Sequence, residues 1–261
     1  PDSDRAVLRG ETYVSIYSPI NSDYELAGQE KFASLRGEYL GNFGGGQESS
    51  RAEIMQNGNN FDAEAYVPVW TSQLLVSDWV QPGPVPLTMT ASQNGGTWTL
   101  TVENKLDHEL TNAAVVLSGT FYNLGSLNAS AKKTFTLNRN QGMPVEEMAR
   151  QYMGAFQQAI QSRHNSFGNN AVAIPDIAAG SMAASFIGDI NNESTGYDWN
   201  NFTSPATLDL SRFADGNYGI LLAWDQGQTL APDLNKFQPK RLRRDTLLRL
   251  VTPVKSSNVR F

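Results

Sequence analysis

Cysteine is absent from these 261 residues, histidine occurs only twice, and no apolar run approaches the length needed to cross a bilayer. The first absence removes disulfides and thiolate metal sites. It suits a bacterial protein living outside the cytoplasm. A cytosolic enzyme of this size ordinarily carries a few thiols, and a eukaryotic secreted β-protein ordinarily carries disulfides. A transmembrane helix needs roughly 18 consecutive apolar residues, and none is present. Positive charge is also short. With 20 basic against 26 acidic residues the formal net charge is −6, which argues against a general nucleic-acid role. No secretory leader opens the chain, which begins Pro1-Asp2-Ser3-Asp4 and reads as a trimmed or processed form.

The two histidines, His108 and His164, stand far apart in sequence, and neither an HExxH pair nor a Gly-x-Ser-x-Gly elbow occurs. Zinc hydrolysis and serine hydrolysis therefore lack their usual signatures. His108 falls in a turn over 105–109. His164 falls at the expected end of a helix, where the dipole favours a cation and already explains it.

What is present is alternation. Thr97-Trp98-Thr99-Leu100-Thr101-Val102-Glu103 alternates polar and apolar, an apolar run follows over 113–117, and 133–137 alternates again. Period-two patterning puts Trp98, Leu100 and Val102 on one face of a strand and the threonines on the other. Antiparallel sheets with one wet face carry that pattern. Further strands are expected at 11–17, 32–39, 51–55, 63–69 and 73–80, at roughly ten-residue intervals with turn clusters between them. Gly44–Gly46 reads as a hairpin tip, since Gln47-Glu48 stands where a phosphate loop would place lysine and a hydroxyl. The cluster Gln81-Pro-Gly-Pro-Val-Pro86 cannot continue a central strand and marks a linker, a strand switch or a domain border.

The period changes after Gly142. Pro144, Glu146 and Glu147 form a favourable helix entry, and Met148, Tyr152, Phe156, Ala159 and Ile160 recur on one face, predicting a helix over 144–164. A second helix is expected over 177–187 with Asp176 as its N-cap. Residues 191–201 read as a polar loop, and strands return at 218–224 and 246–251. This gives an N-terminal β lobe over 1–83, completed by strands of 216–261. A β module spans 84–140, and a helical insert with a polar loop spans 141–215.

Three groups of residues carry candidate chemistry. Asp189, Asn191 and Glu193 occupy positions one, three and five of a calcium-loop register, with Asp198 beyond them. Ser194 replaces the sixth-position glycine and Asn200 the twelfth-position acid, so any Ca2+ site there would depart from the EF-hand. Side chains of this kind also cap their own backbone in polar loops. Trp70, Trp79, Trp98, Trp199 and Trp224 suggest sugar stacking, although Trp98 and Trp224 sit in apolar strand patterns that point to a core. Trp199, with Tyr197 in a polar loop, is the foremost ligand candidate. Lys240, Arg241, Arg243 and Arg244 form the densest basic cluster, opposed after residue 240 only by Asp245. Such a cluster touches anionic lipid or polymer, or lines an exposed strand edge against aggregation. Three Asn-x-Ser/Thr triplets, at Asn128, Asn192 and Asn201, arise readily by chance in so polar a chain.

The stretch 99–106, ending Asn104-Lys-Leu106, together with 110–117, Asn123-Leu-Gly-Ser-Leu127 and 133–137, resembles immunoglobulin-like modules of bacterial and archaeal cell-surface proteins. Those modules run strand, asparagine, turn, apolar strand, then leucine-glycine-x-leucine before a final strand. The sequence also resembles the outer portion of large bacterial membrane proteins of unassigned function. The resemblance implies a mainly β, antiparallel β-sandwich architecture, with the helices as an insert. It also implies a non-catalytic extracytoplasmic domain of an envelope or membrane-anchored protein. Its partner would be another envelope protein or a polysaccharide, with any membrane tether outside this stretch. A carbohydrate-binding module is the alternative. With 26 acids present, a carboxylate-pair glycosidase is a second, although no spacing selects a pair.

Overall fold

Alternation in the N-terminal region becomes ladders. The computed structural model describes residues 5–37, 51–156, 176–188, 209–227 and 232–256. These fall into two compact units, Pro1–Val85 with Gly227–Arg244, and Pro86–Gln226 with Asp245–Phe261. The molecule is mainly β, and its sheets are almost wholly antiparallel.

In the first unit, β1 (Arg5–Ser18) pairs with β6 (Thr71–Pro84) from Arg5↔Pro84 to Ser18↔Thr71. The other edge of β6 takes β3 (Phe32–Gly37), but only as far as Val80. Strand β6 therefore continues through the proline cluster, where the sequence predicts a stop at residue 80. Pro82 and Pro84, two residues apart, point their missing N–H groups to one edge. Past Val80 no strand waits on that edge among the described residues, so the prolines cost no ladder bond. The border between units then falls at Val85 and Pro86.

The second sheet of this unit has the order β14-β2-β5-β4, with β2 (Ser22–Ala27), β4 (Arg51–Asn57), β5 (Asn60–Val67) and β14 (Asp233–Asn235). Strand β5 buries Phe61, Ala63, Ala65 and Val67 while Asp62 and Glu64 face water. Those four side chains meet Ile16, Ala33, Leu35 and Leu75 of the first sheet in one core. Removing Phe61 from water alone contributes roughly 1.5–3 kcal/mol.

The second unit is also a pair of packed sheets. One holds β7 (Leu87–Asn94), β8 (Thr97–Asn104), β11 (Lys132–Asn138) and β16 (Lys255–Ser256), in the order β11-β8-β7-β16, with β16 parallel to β7. The other runs β12-β10-β9-β13-β15, from β9 (Leu110–Leu117), β10 (Thr120–Leu127), β12 (Met143–Pro144), β13 (Tyr218–Gln226) and β15 (Asp245–Pro253). The β9–β10 turn carries positive φ at both Ser118 and Gly119, the conformation that matches strand twist in a two-residue hairpin. Trp98, Leu100 and Val102 of β8 pack on Leu110, Val115, Leu117, Leu221 and Ala223.

A third layer explains the unbroken apolar runs of β9 and β13. Their outer face, Ala114, Val116, Ile220 and Leu222, is covered by α1 (Val145–Arg150), α2 (Ile177–Ala184) and α3 (Ser211–Ala214), through Val145, Met148, Met182 and Ala214, and by Phe186 in the turn after α2. Strands buried on both faces lose their alternation. Helix α1 ends at Arg150, helical residues resume over 153–156, and the remainder of the predicted 144–164 helix lies outside the described residues. Pro144 pairs with Thr120 as strand and stands before the helix instead of inside it. Met148 and Phe156 are nonetheless buried. Asp176 caps α2, its carboxylate accepting from the Ala179 N–H at 3.0 Å.

Of the C-terminal residues 216–261, strands β13 and β15 lie in the second unit, and only 227–244, with β14, lies in the first.

Candidate functional site

The turn after β8 is organised by one amide. Asn104 is fully buried, and its Nδ2 donates to the carbonyls of His108, Leu127 and Asn128 at 2.9–3.1 Å. Its Oδ1 accepts from the Leu106 N–H at 3.0 Å. This amide ties the turn to the end of β10 and aims the His108 ring at β13. There His108 Nε2 lies 3.1 Å from Asp225 Oδ1, and Nδ1 lies 2.9 Å from Asp107 Oδ1. Asp107 is wholly exposed, whereas Asp225 is buried. The bond to Asp107, with help from Asp225, raises the His108 pKa above its ordinary value despite some desolvation. Burial raises the Asp225 carboxyl, opposed by His108, and the His108 bond lowers Asp107.

Both ring nitrogens of His108 are thus committed to carboxylates. A general base needs one free nitrogen facing the group that it deprotonates. The arrangement joins the turn after β8 to β13 through a ring whose protonated form both carboxylates favour.

A different feature stands at one end of the first unit. Two turns, one joining β1 to β2 and the other β5 to β6, are locked to each other. The Trp70 N–H donates to the Ser18 carbonyl at 2.8 Å, and the Val69 N–H donates to Asn21 Oδ1 at 2.7 Å. Ser18 Oγ donates to the Ile20 carbonyl at 2.6 Å and shares a 2.7 Å bond with the Tyr24 hydroxyl. From this base Trp70 projects 68% exposed, with Tyr17 and Ile20 at 59% each and Val69 beside it. The Tyr17 and Trp70 rings are 6.5 Å apart and tilted by 50°.

Trp70 has φ of +61° in the turn Pro68-Val69-Trp70-Thr71, closed by Thr71 N–H to the Pro68 carbonyl at 3.2 Å. That is the third turn position, which usually takes glycine or asparagine. A left-handed backbone costs a bulky residue roughly 1–2 kcal/mol. Here the residue gains little burial in return, and strain of this kind concentrates at functional positions.

Trp98 and Trp224 are buried, and Trp79 is half-buried with its Nε1 donating to Thr12 Oγ1 at 3.0 Å. Trp199 and Tyr197, and the calcium candidates Asp189, Asn191, Glu193 and Asp198, lie outside the described residues, as do His164 and Gly44–Gly46. Among the described residues, no group of three His, Asp or Glu side chains is placed to hold a metal ion. Lys240, Arg241, Arg243 and Arg244 are all exposed in the irregular segment before β15, not on a strand edge. Sequence reasoning named Trp70 only as one ring among five. The signal that distinguishes it is its place in a turn after Pro68. Asp225 gave no signal, because its partner is distant in the chain.

No curated protein and no solved structure matches the chain. His108 and Asp225 fall within the segment that a family model matches, and Trp70 precedes it. That model, described as a domain of unknown function (DUF8725), matches residues 86–236, more than half of the chain, and the protein belongs to this family.

Proposed function

We propose that the protein is a non-catalytic extracytoplasmic part of a bacterial envelope or membrane-anchored protein. In this reading it binds or positions itself through the Tyr17–Ile20–Val69–Trp70 tip of its first unit. One observation carries the reading: Trp70 is held, against backbone strain, in an exposed turn position. A bulky apolar side chain that neither packs nor relaxes its backbone is explained by a contact outside the chain. Paired sandwich sheets, the missing cysteines and the doubly occupied His108 ring are consistent with it.

The test compares the full chain with Trp70→Asn, which keeps the left-handed turn and removes the ring. Both are mixed with isolated cell envelopes of the organism that makes the protein. The reading predicts that the parent sediments with the envelopes and the variant is released. Equal retention of the two proteins refutes the role of the tip.

A polysaccharide partner is the second reading, favoured by the Tyr17–Trp70 ring pair. The 50° tilt presents a wedge instead of the flat platform on which sugar faces stack. Competition by soluble wall polysaccharide separates the two readings.

A further inference from the structure

Neither turn of the tip carries a charge: Tyr17-Ser-Pro-Ile-Asn21 and Val67-Pro-Val-Trp-Thr71 are neutral throughout. Their exposed side chains are Tyr17, Pro19, Ile20, Asn21, Val69 and Trp70, of which only Asn21 is an amide. The backbone behind them is satisfied by the bonds at Ser18 and Asn21. The chain leaving β14 begins beside this same place. Phe237, 40% exposed, stacks on Tyr24 with ring centroids 4.7 Å apart, and the Tyr24 hydroxyl is bonded to Ser18. From Phe237 the chain continues Gln-Pro-Lys240-Arg-Leu-Arg-Arg244 without an acid, every residue exposed, Leu242 at 60%. In a chain of net charge −6, this cationic segment with an apolar residue at its centre stands against the prevailing sign.

We infer that the tip and the adjoining 237–244 segment form a lipid-contact face. The tip seats Trp70, Tyr17 and Ile20 at the headgroup level of a bilayer, and Lys240 and Arg241, the basic residues that follow Phe237, engage anionic headgroups. Tryptophan and tyrosine settle at that level because an apolar ring body carries a polar handle. Two turns locked to each other, with the N–H groups of Ile20, Val69, Trp70 and Thr71 bonded within the tip, suit the boundary between headgroups and acyl chains better than a ragged loop. A second contact is needed for stable attachment, and the basic segment supplies it by attraction to a negative surface. The absence of charge on the tip fits a lipid boundary better than a protein groove, whose rim is polar. This inference rests on the preceding reading that the tip is a contact surface, and it names the surface contacted.

The test uses the full chain and protein-free vesicles of two compositions: phosphatidylcholine alone, and phosphatidylcholine with about one-third phosphatidylglycerol. Co-sedimentation is expected to be roughly tenfold stronger on the anionic vesicles, and to weaken as salt rises from about 0.1 M to about 0.5 M. The double variant Lys240→Gln, Arg241→Gln is expected to lose that preference. Trp70→Asn and Ile20→Ser are each expected to weaken binding to both vesicles about fivefold or more, with unchanged far-ultraviolet circular dichroism and urea midpoint. Absence of vesicle binding, or binding indifferent to Trp70 and Ile20, overturns the inference. Binding to whole envelopes through Trp70 without binding to vesicles also overturns it, leaving the preceding reading intact. Failure on both removes both.

Discussion

His108 Nε2 and Asp225 Oδ1 lie 3.1 Å apart across 117 positions of sequence, joining the turn after β8 to the end of β13. The exposed Asp107 takes the other ring nitrogen. Neither carboxylate leaves the ring a free nitrogen. The pair is a titrating latch between two elements of one sandwich.

The latch sets a pH dependence with a definite sign. His108 is raised above its ordinary value of 6.5, so its contribution is complete below that value. It is lost as pH rises through the higher folded value. Asp225 is raised by burial from its ordinary 3.8, so the folded chain also holds this proton longer, and its contribution falls as pH rises from 3.8 through the higher folded value. Urea unfolding of the parent at about pH 6 and about pH 8 should show lower stability at the higher pH. His108→Gln should flatten the difference. In Asp225→Asn, nuclear magnetic resonance titration should place His108 lower than in the parent, and with two histidines the assignment is simple.

Asn104 holds the turn that aims the ring. Asn104→Ala removes a fully buried amide shared among the carbonyls of His108, Leu127 and Asn128 and should cost about 2–3 kcal/mol. The same variant should bring the His108 titration back toward its ordinary value, because the turn is no longer tied to β10. A loss of stability with an unmoved titration would separate Asn104 from the latch.

Trp70 makes the opposite prediction. Trp70→Asn relieves a left-handed backbone and removes a ring that is mostly in water, so unfolding free energy should stay within about 0.5 kcal/mol or rise. A fall beyond about 1 kcal/mol in urea unfolding would mean that the indole is packed.

Gly10 and Trp79 face each other across β1 and β6, and a Cβ on Gly10 would overlap the indole. Gly10→Ala should displace the ring, cost about 1–3 kcal/mol and red-shift its fluorescence. Trp79→Leu in the same background should recover part of that loss, and a fully additive double variant would show the two sites to be independent.

Much of the fold was legible where one physical rule acted alone. Trp98, Leu100 and Val102 are buried on one face because β8 has one wet side. Asp176 caps α2 because a carboxylate suits free N–H groups. Legibility failed where context overrode the local rule. Pro82 and Pro84 predict an end to the strand, yet β6 passes through them because, among the described residues, their edge has no neighbour to bond past Val80. Strand β13 shows no alternation because helices cover its second face, a layer that the strand itself cannot announce. The candidate site was less legible still. Trp70 does not stand out among the five tryptophans of the sequence, because its exposure depends on which turn position it occupies. The meeting of His108 with Asp225 required the pairing of β9 and β13, a contact between distant segments.

The central claim, that the molecule makes its outside contact through the tip of its first unit, is tested most directly by hydrogen–deuterium exchange of the full chain with and without envelope membranes. The account predicts slowed exchange confined to 18–21, 68–71 and the 237–244 segment, with the turn around His108 unchanged. Protection centred on 104–109 and Asp225, with the Trp70 turn unaffected, would contradict it.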